Sequence, residues 1–111
     1  MELETITRRI RDLNDEARRY LTNGTMFLTH GVAALPTDDQ AEIIDRVCLF
    51  EDFKPENDPH GEHDFGAFEH KGQRIFWKID YYDPTLREGS PAPENVAVTR
   101  RVITVMLAEE Y

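Results

Sequence analysis

Cysteine is nearly missing from this chain, with Cys48 alone among 111 residues. No internal disulfide can form, and no pair of cysteines offers the spacing of a structural zinc site. Its setting, Val47-Cys48-Leu49-Phe50, reads as a small buried thiol, since no basic neighbour would favour the reactive thiolate. Long apolar runs are missing too. Nothing approaches the roughly 18 residues that a membrane helix needs, so no membrane partner is expected. The first residues, Met1-Glu2-Leu3-Glu4, lack the basic-then-apolar order of a secretion signal, and a cytoplasmic location is expected. Glycine-rich phosphate loops and the nucleophile elbow of hydrolases are both lacking. Basic residues are scarce: 13 Lys and Arg stand against 22 Asp and Glu, a net charge of −9. Direct nucleic-acid binding, which runs on displaced counterions, is disfavoured.

The negative charge is concentrated in one stretch. Residues 38–64 hold ten acids and two basic residues, Arg46 and Lys54, for a net −8. The segment before it balances to zero and the segment after it to −1. A chain that gathers like charges against their repulsion is expected to use that face. Asp38, Asp39, Glu42, Asp45, Glu51, Asp52, Glu56, Asp58 and Glu62 are the candidate contacts for a basic protein partner. The five arginines of residues 8–19 are balanced by the acids around them, and read as a solvated helix face.

The length and ordinary 40% hydrophobic content predict a single domain over residues 1–111. Ile6, Ile10, Leu13, Ala17 and Leu21 recur at helical spacing, predicting a helix over 4–21 opened by Glu4 or Thr5 and stopped by Asn23-Gly24. Thr25–Thr29 reads as a strand running on into Gly31–Leu35. After Pro36, Thr37 with Gln40 forms a capping box for a second helix to about residue 49. Its Ile43, Ile44, Val47 and Cys48 would face inward, with Asp39, Glu42 and Asp45 outward. Residues 63–70 and 73–81 form a hairpin about Lys71-Gly72. That register sets Phe68 opposite Ile75, Gly66 opposite Trp77 and His63 opposite Asp80. The run 99–107 is β-branched through Val102-Ile103-Thr104-Val105, which favours a further strand, pairing with the hairpin, over a helix. The expected fold is α+β: two helices from the N-terminal half packed on a small, mostly antiparallel sheet.

Four constellations could carry chemistry. His60, His63 and Asp64, with His70 beyond, are ligand types for zinc or iron, but a turn separates the first two and strand parity separates His63 from His70. No metal or other cofactor is expected. His63 opposite Asp80, with Lys78 alongside, would be half of a general-base arrangement, but no nucleophile accompanies it and no catalytic residue is assigned. Asp64 would face the core beside Trp77 and cap the backbone of the turn at 58–61. In Lys78-Ile79-Asp80-Tyr81-Tyr82, Asp80 and Tyr82 look outward and suit a binding surface.

The motifs Asn57-Asp58-Pro59-His60-Gly61-Glu62-His63-Asp64-Phe65-Gly66, Phe76-Trp77-Lys78-Ile79-Asp80-Tyr81-Tyr82-Asp83, Gly89-Ser90-Pro91 and Thr99–Ala108 carry a resemblance. Over Asn14 to Tyr111 the chain resembles the bacterial domain-of-unknown-function family numbered 3768. Where that family usually has an acid after Ser-Pro, this chain has Ala92. The resemblance implies a small protein of the kind often carried on plasmids and other mobile elements, and it implies no activity. The leading expectation is a non-enzymatic interaction or regulatory protein, in its sharpest form an inhibitor that presents DNA-like charge to a nucleic-acid-binding protein. A metal-dependent hydrolase on His60, His63, Asp64 and Asp80 is the alternative, and the acidic half of an operon pair is a third.

Overall fold

The predicted first helix forms as α1 (Leu3–Tyr20), in a computed structural model that describes residues 2–111. It buries Ile10, Asn14, Ala17 and Arg18 along one stripe, the spacing of a core-facing helix. Its N-cap position falls on Glu2, whose side chain makes no capping hydrogen bond, and not on the expected Glu4 or Thr5; Leu21 ends it in the left-handed region at φ 55°. Arg18 corrects the expectation of a solvated arginine face, because it is fully buried. Its guanidinium lies 5.0 Å from the Trp77 ring centre and 5.4 Å from that of Phe53. It donates to the carbonyls of Val47 (2.9 Å) and Cys48 (3.1 Å). A cation from one helix therefore satisfies the open carbonyls at the negative end of another.

β1 (Gly24–Leu28) is shorter than expected, and residues beyond Thr29 do not continue it. His30–Ala33 forms a helical turn, α2, that drives Val32 into the core. Glu110 holds this turn, its carboxylate accepting from the Thr29 hydroxyl (2.6 Å) and the Gly31 N–H (2.9 Å). α3 (Thr37–Cys48) follows. Its N-cap is Pro36 and Thr37 is already helical, so the expected capping box does not form. Gln40 instead donates its amide to the carbonyls of Ala33 (3.0 Å) and Leu35 (2.8 Å), tying α3 to the turn before it. Ile43 and Val47 are buried, Ile44 and Cys48 half-buried. Burial pushes the Cys48 thiol above its usual range.

β2 (Phe65–His70) and β3 (Gln73–Tyr82) form the hairpin in the predicted register, with Gly66 opposite Trp77 and Phe68 opposite Ile75. Lys71 (φ 49°) and Gly72 (φ 82°) supply the two left-handed residues of a tight primed turn. The 99–107 run is a strand, β4 (Arg100–Leu107), as its β-branched content predicted. The sheet order is β1-β4-β3-β2, antiparallel except for the β1–β4 pair. Ala17, Ile43 and Val47 of the helices pack on Phe68, Ile75, Trp77, Ile79, Ile103 and Val105 of the sheet. The architecture is thus two helices on one face of a mostly antiparallel four-stranded sheet, an α+β fold. No helix among the described residues is long and apolar enough to cross a membrane.

Candidate functional site

The loop from Phe50 to Asp64 is fastened to α1 as well as to the hairpin, where the Ile79 N–H donates to the Asp64 carbonyl (2.9 Å). Arg11 donates to the Gly61 carbonyl (3.4 Å), and Asn14 donates to that of Glu62 (3.0 Å). His63 has φ 55°, so the chain kinks there and β2 begins only at Phe65. This overturns the expected pairing of His63 with Asp80. Nδ1–H of His63 donates to Asp15 Oδ1 (2.9 Å), and its Nε2 lies 3.7 Å from Asp58 Oδ2. Its ring stacks on Phe53, centroids 3.7 Å apart. Asp80 pairs instead with Lys78 (3.0 Å), and the hydrogen bond between them raises the lysine pKa.

The capping acid of the turn is Asp58, not Asp64. Asp58 is buried and its Oδ1 accepts from the His63 backbone N–H at 3.1 Å. Asp64 is half-buried and lines a cleft of about 440 Å³ with His60, Lys78 and Asp80. Burial, then the charge of Glu62, push its carboxyl above the usual range. The structure thus brings His60, Asp64, Lys78 and Asp80 together and leaves His63 elsewhere. Tyr82 is half-buried at the end of β3, outside that cleft.

The nine acids proposed for partner contact divide in two. Asp39, Asp58 and Glu62 serve the fold. Asp39 accepts from Lys71 (2.7 Å) and faces His70 Nε2 (2.8 Å), and both hold its carboxyl below the usual range. Glu62 accepts from the Tyr81 hydroxyl at 2.8 Å. Asp38, Glu42, Asp45, Glu51, Asp52 and Glu56 are exposed. Four of these, Glu42, Asp45, Glu51 and Asp52, line one groove of about 540 Å³ between α3 and β2, joined there by Glu69. Asp38 sits in the first turn of α3, and Glu56 lies at the His60 cleft.

The groove has an apolar floor that the charge pattern alone did not reveal. Leu49, 75% exposed, lies beside Phe50, Ala67 and Phe68. One cation enters it: Arg46 lies over the Phe68 ring at 4.2 Å and donates to the Glu69 carbonyl. The other cations near these acids are loose and exposed, Arg19 at 3.8 Å from Glu51, Lys54 at 3.5 Å from Asp52 and Arg74 at 4.0 Å from Glu69. Such pairs neutralise little. The arrangement suits a cationic, partly apolar segment; an exposed leucine following an acidic helix was the sequence signal for it.

No curated protein and no solved structure matched the chain. A family model matches residues 28–110, which spans α2, α3, the loop and β2 to β4 but leaves out α1 and nearly all of β1. The groove lies wholly inside the matched part, as does the His60 cleft apart from Tyr111, whereas Asp15 and Arg18, which anchor the loop, lie outside it. Matched over well more than half its length, the chain belongs to the family described as protein of unknown function, DUF3768.

Proposed function

We propose that this is a non-enzymatic interaction protein whose α3–β2 groove receives a basic segment of another protein. The observation that carries the reading is the groove itself, five carboxylates around an exposed Leu49 and an aromatic floor. Arg46 supports it from within, since its guanidinium already rests on Phe68 and against a backbone carbonyl. An arriving arginine would find the same chemistry: stacking, a carbonyl acceptor and surrounding carboxylates. The sharper form is inhibition of a nucleic-acid-binding protein, with carboxylates on α3 and its following loop standing in for phosphates. The alternative, a metal-dependent hydrolase on His60, His63, Asp64 and Asp80, has less support because His63 points to Asp15 and Phe53.

The test is binding of arginine-rich and lysine-rich peptides and of basic DNA-binding domains, followed by fluorescence anisotropy at 0.05 and 0.3 M salt. Binding is expected to weaken strongly over that range, as exposed charges screen within about 10 Å at 0.1 M. It is expected to be lost in a Glu42→Lys, Asp45→Lys variant. Binding that ignores both salt and charge reversal removes the reading.

A further inference from the structure

His70 is the last residue of β2, and its side chain is 5% exposed. Its two ring nitrogens face two different carboxylates of α3. Nε2 lies 2.8 Å from Asp39 Oδ1, and Nδ1 lies 3.6 Å from Glu42 Oε2. A neutral imidazole carries one N–H, and an ionised carboxylate can only accept. The 2.8 Å contact therefore takes that N–H. Nδ1 is left with a lone pair turned toward the second carboxylate, beyond hydrogen-bond reach, and no described residue donates to it. Two electron-rich atoms so placed call for a cation between them. The Lys71 ammonium does not supply it, because it rests on the Asp39 oxygen at 2.7 Å.

We infer that Asp39, Glu42 and His70 form a zinc site where α3 meets the end of β2. One ligand atom from each lies within 4.8 Å of the other two. Two ligands about 2.1 Å from a tetrahedral zinc stand about 3.4 Å apart. The 3.6 Å between Nδ1 and Glu42 is already near that separation. What sets the cluster apart from a group of surface acids is the buried imidazole with its free nitrogen. Asp39 and Glu42 stand one helical turn apart on the same side of α3, and the buried ring has little room to turn, so the ligands are held together before metal arrives. Asp39 joins by releasing Lys71, whose side chain is 69% exposed and can swing into solvent. An imidazole among carboxylates suits zinc, whereas calcium and magnesium take oxygen ligands alone. Asp38 and Asp45, exposed on the same helix, add to the attraction for a cation. Three protein ligands leave the fourth tetrahedral position to water. The site shares no residue with the His60 cleft.

Isothermal titration of the chelator-treated full chain with zinc chloride at pH 7 tests this. One zinc ion per chain is expected, with a dissociation constant in the micromolar range or below. Zinc should also raise the melting temperature, and a chelator should reverse the rise, since metal bound only to the folded state stabilises it. Cobalt in place of zinc should give the visible absorption of a tetrahedral site. Glu42→Gln, at a side chain 59% exposed, keeps the fold and should weaken zinc binding at least tenfold. His70→Gln should abolish the site, with circular dichroism reporting whether the fold survives. Lys71→Ala, which frees the Asp39 oxygen, should tighten binding, an effect that a purely structural His70–Asp39 contact would not produce. No binding up to about 1 mM zinc overturns the inference. So does zinc binding indifferent to Glu42→Gln, binding lost in His60→Ala instead, or calcium bound as tightly as zinc, which would mark a loose acidic surface.

Discussion

The imidazole of His63 lies flat on the ring of Phe53, centroids 3.7 Å apart and planes 4° from parallel. This stack, with the hydrogen bond to Asp15, joins the acidic loop to α1. Stacked rings and a partly buried hydrogen bond to a carboxylate together contribute about 2 kcal/mol. His63→Ala is therefore expected to lower the unfolding free energy by about that amount in urea titrations. Asp80→Ala, which removes only an exposed ion pair, should cost less than about 1 kcal/mol. A double-mutant cycle separates the two geometries: His63 should couple to Asp15 and not to Asp80. Coupling to Asp80 would restore the simple hairpin register and sink the loop described above.

Hairpin register, the β4 strand, α1 and α3 were all legible because each rests on local periodicity or turn chemistry. The pairing of Gly66 with Trp77 followed from Lys71-Gly72 alone. What was hidden depends on contacts distant in sequence. Nothing local shows that Glu110 will hold the turn at Thr29–Gly31 across some eighty residues. Nothing near His63 shows that Asp15 and Phe53 will hold it and give its backbone a positive φ. The acidic segment pointed to α3 and its loop, yet charge counting could not separate acids that serve the fold, such as Asp58, from those left exposed, such as Asp45.

Asp64 should be a stability cost at neutral pH. Its carboxyl is raised first by burial and then by Glu62, so the folded state holds its proton to higher pH than the unfolded chain does. Stability from this group falls as pH rises from the ordinary value of about 3.9 through the raised folded value. Asp64→Asn removes the charge without changing shape. It should raise the unfolding free energy at pH 7, by no more than about 1 kcal/mol because solvent screens a half-exposed site. The gain should vanish as pH drops below about 3.9, where both states are protonated in the parent chain. A loss of stability at pH 7 would show that the ionised form makes a favourable contact.

Asp39 carries the opposite sign. Lys71 and then His70 hold its carboxyl below the usual range. The stability it supplies is present above the unfolded value and is lost as pH falls through the folded one. Asp39→Asn should therefore destabilise at pH 7 and matter progressively less under acid, measured by thermal melts across pH 2 to 7. Its two partners differ in burial. His70→Ala, at a side chain 5% exposed, should cost about 2 kcal/mol, through a small cavity and the loss of its hydrogen bond to Asp39. Lys71→Ala, at a side chain 69% exposed, should cost clearly less than His70→Ala. A larger loss from Lys71 than from His70 would mean that the lysine, not the buried ring, holds Asp39 against the end of β2.

Gly66 is the position where the sheet tolerates least. A Cβ there would stand 2.2 Å from Nε1 and 2.5 Å from Cε2 of Trp77, whose side chain is fully buried. The indole cannot retreat, because Phe50 and Phe53 pack edge-on against it at 5.6 and 6.1 Å and Arg18 lies over it. Gly66→Ala should cost about 3 kcal/mol, the upper range for overpacking a filled core. Gly72→Ala is the control: nothing lies within 4 Å of its Cβ, and only the φ of 82° opposes it, a cost of about 1 kcal/mol. Unfolding midpoints should rank the parent above Gly72→Ala and that above Gly66→Ala, with tryptophan fluorescence shifted only in the last. Equal losses at the two glycines would mean that Trp77 can move, and that the core beneath β2 is looser than its burial implies.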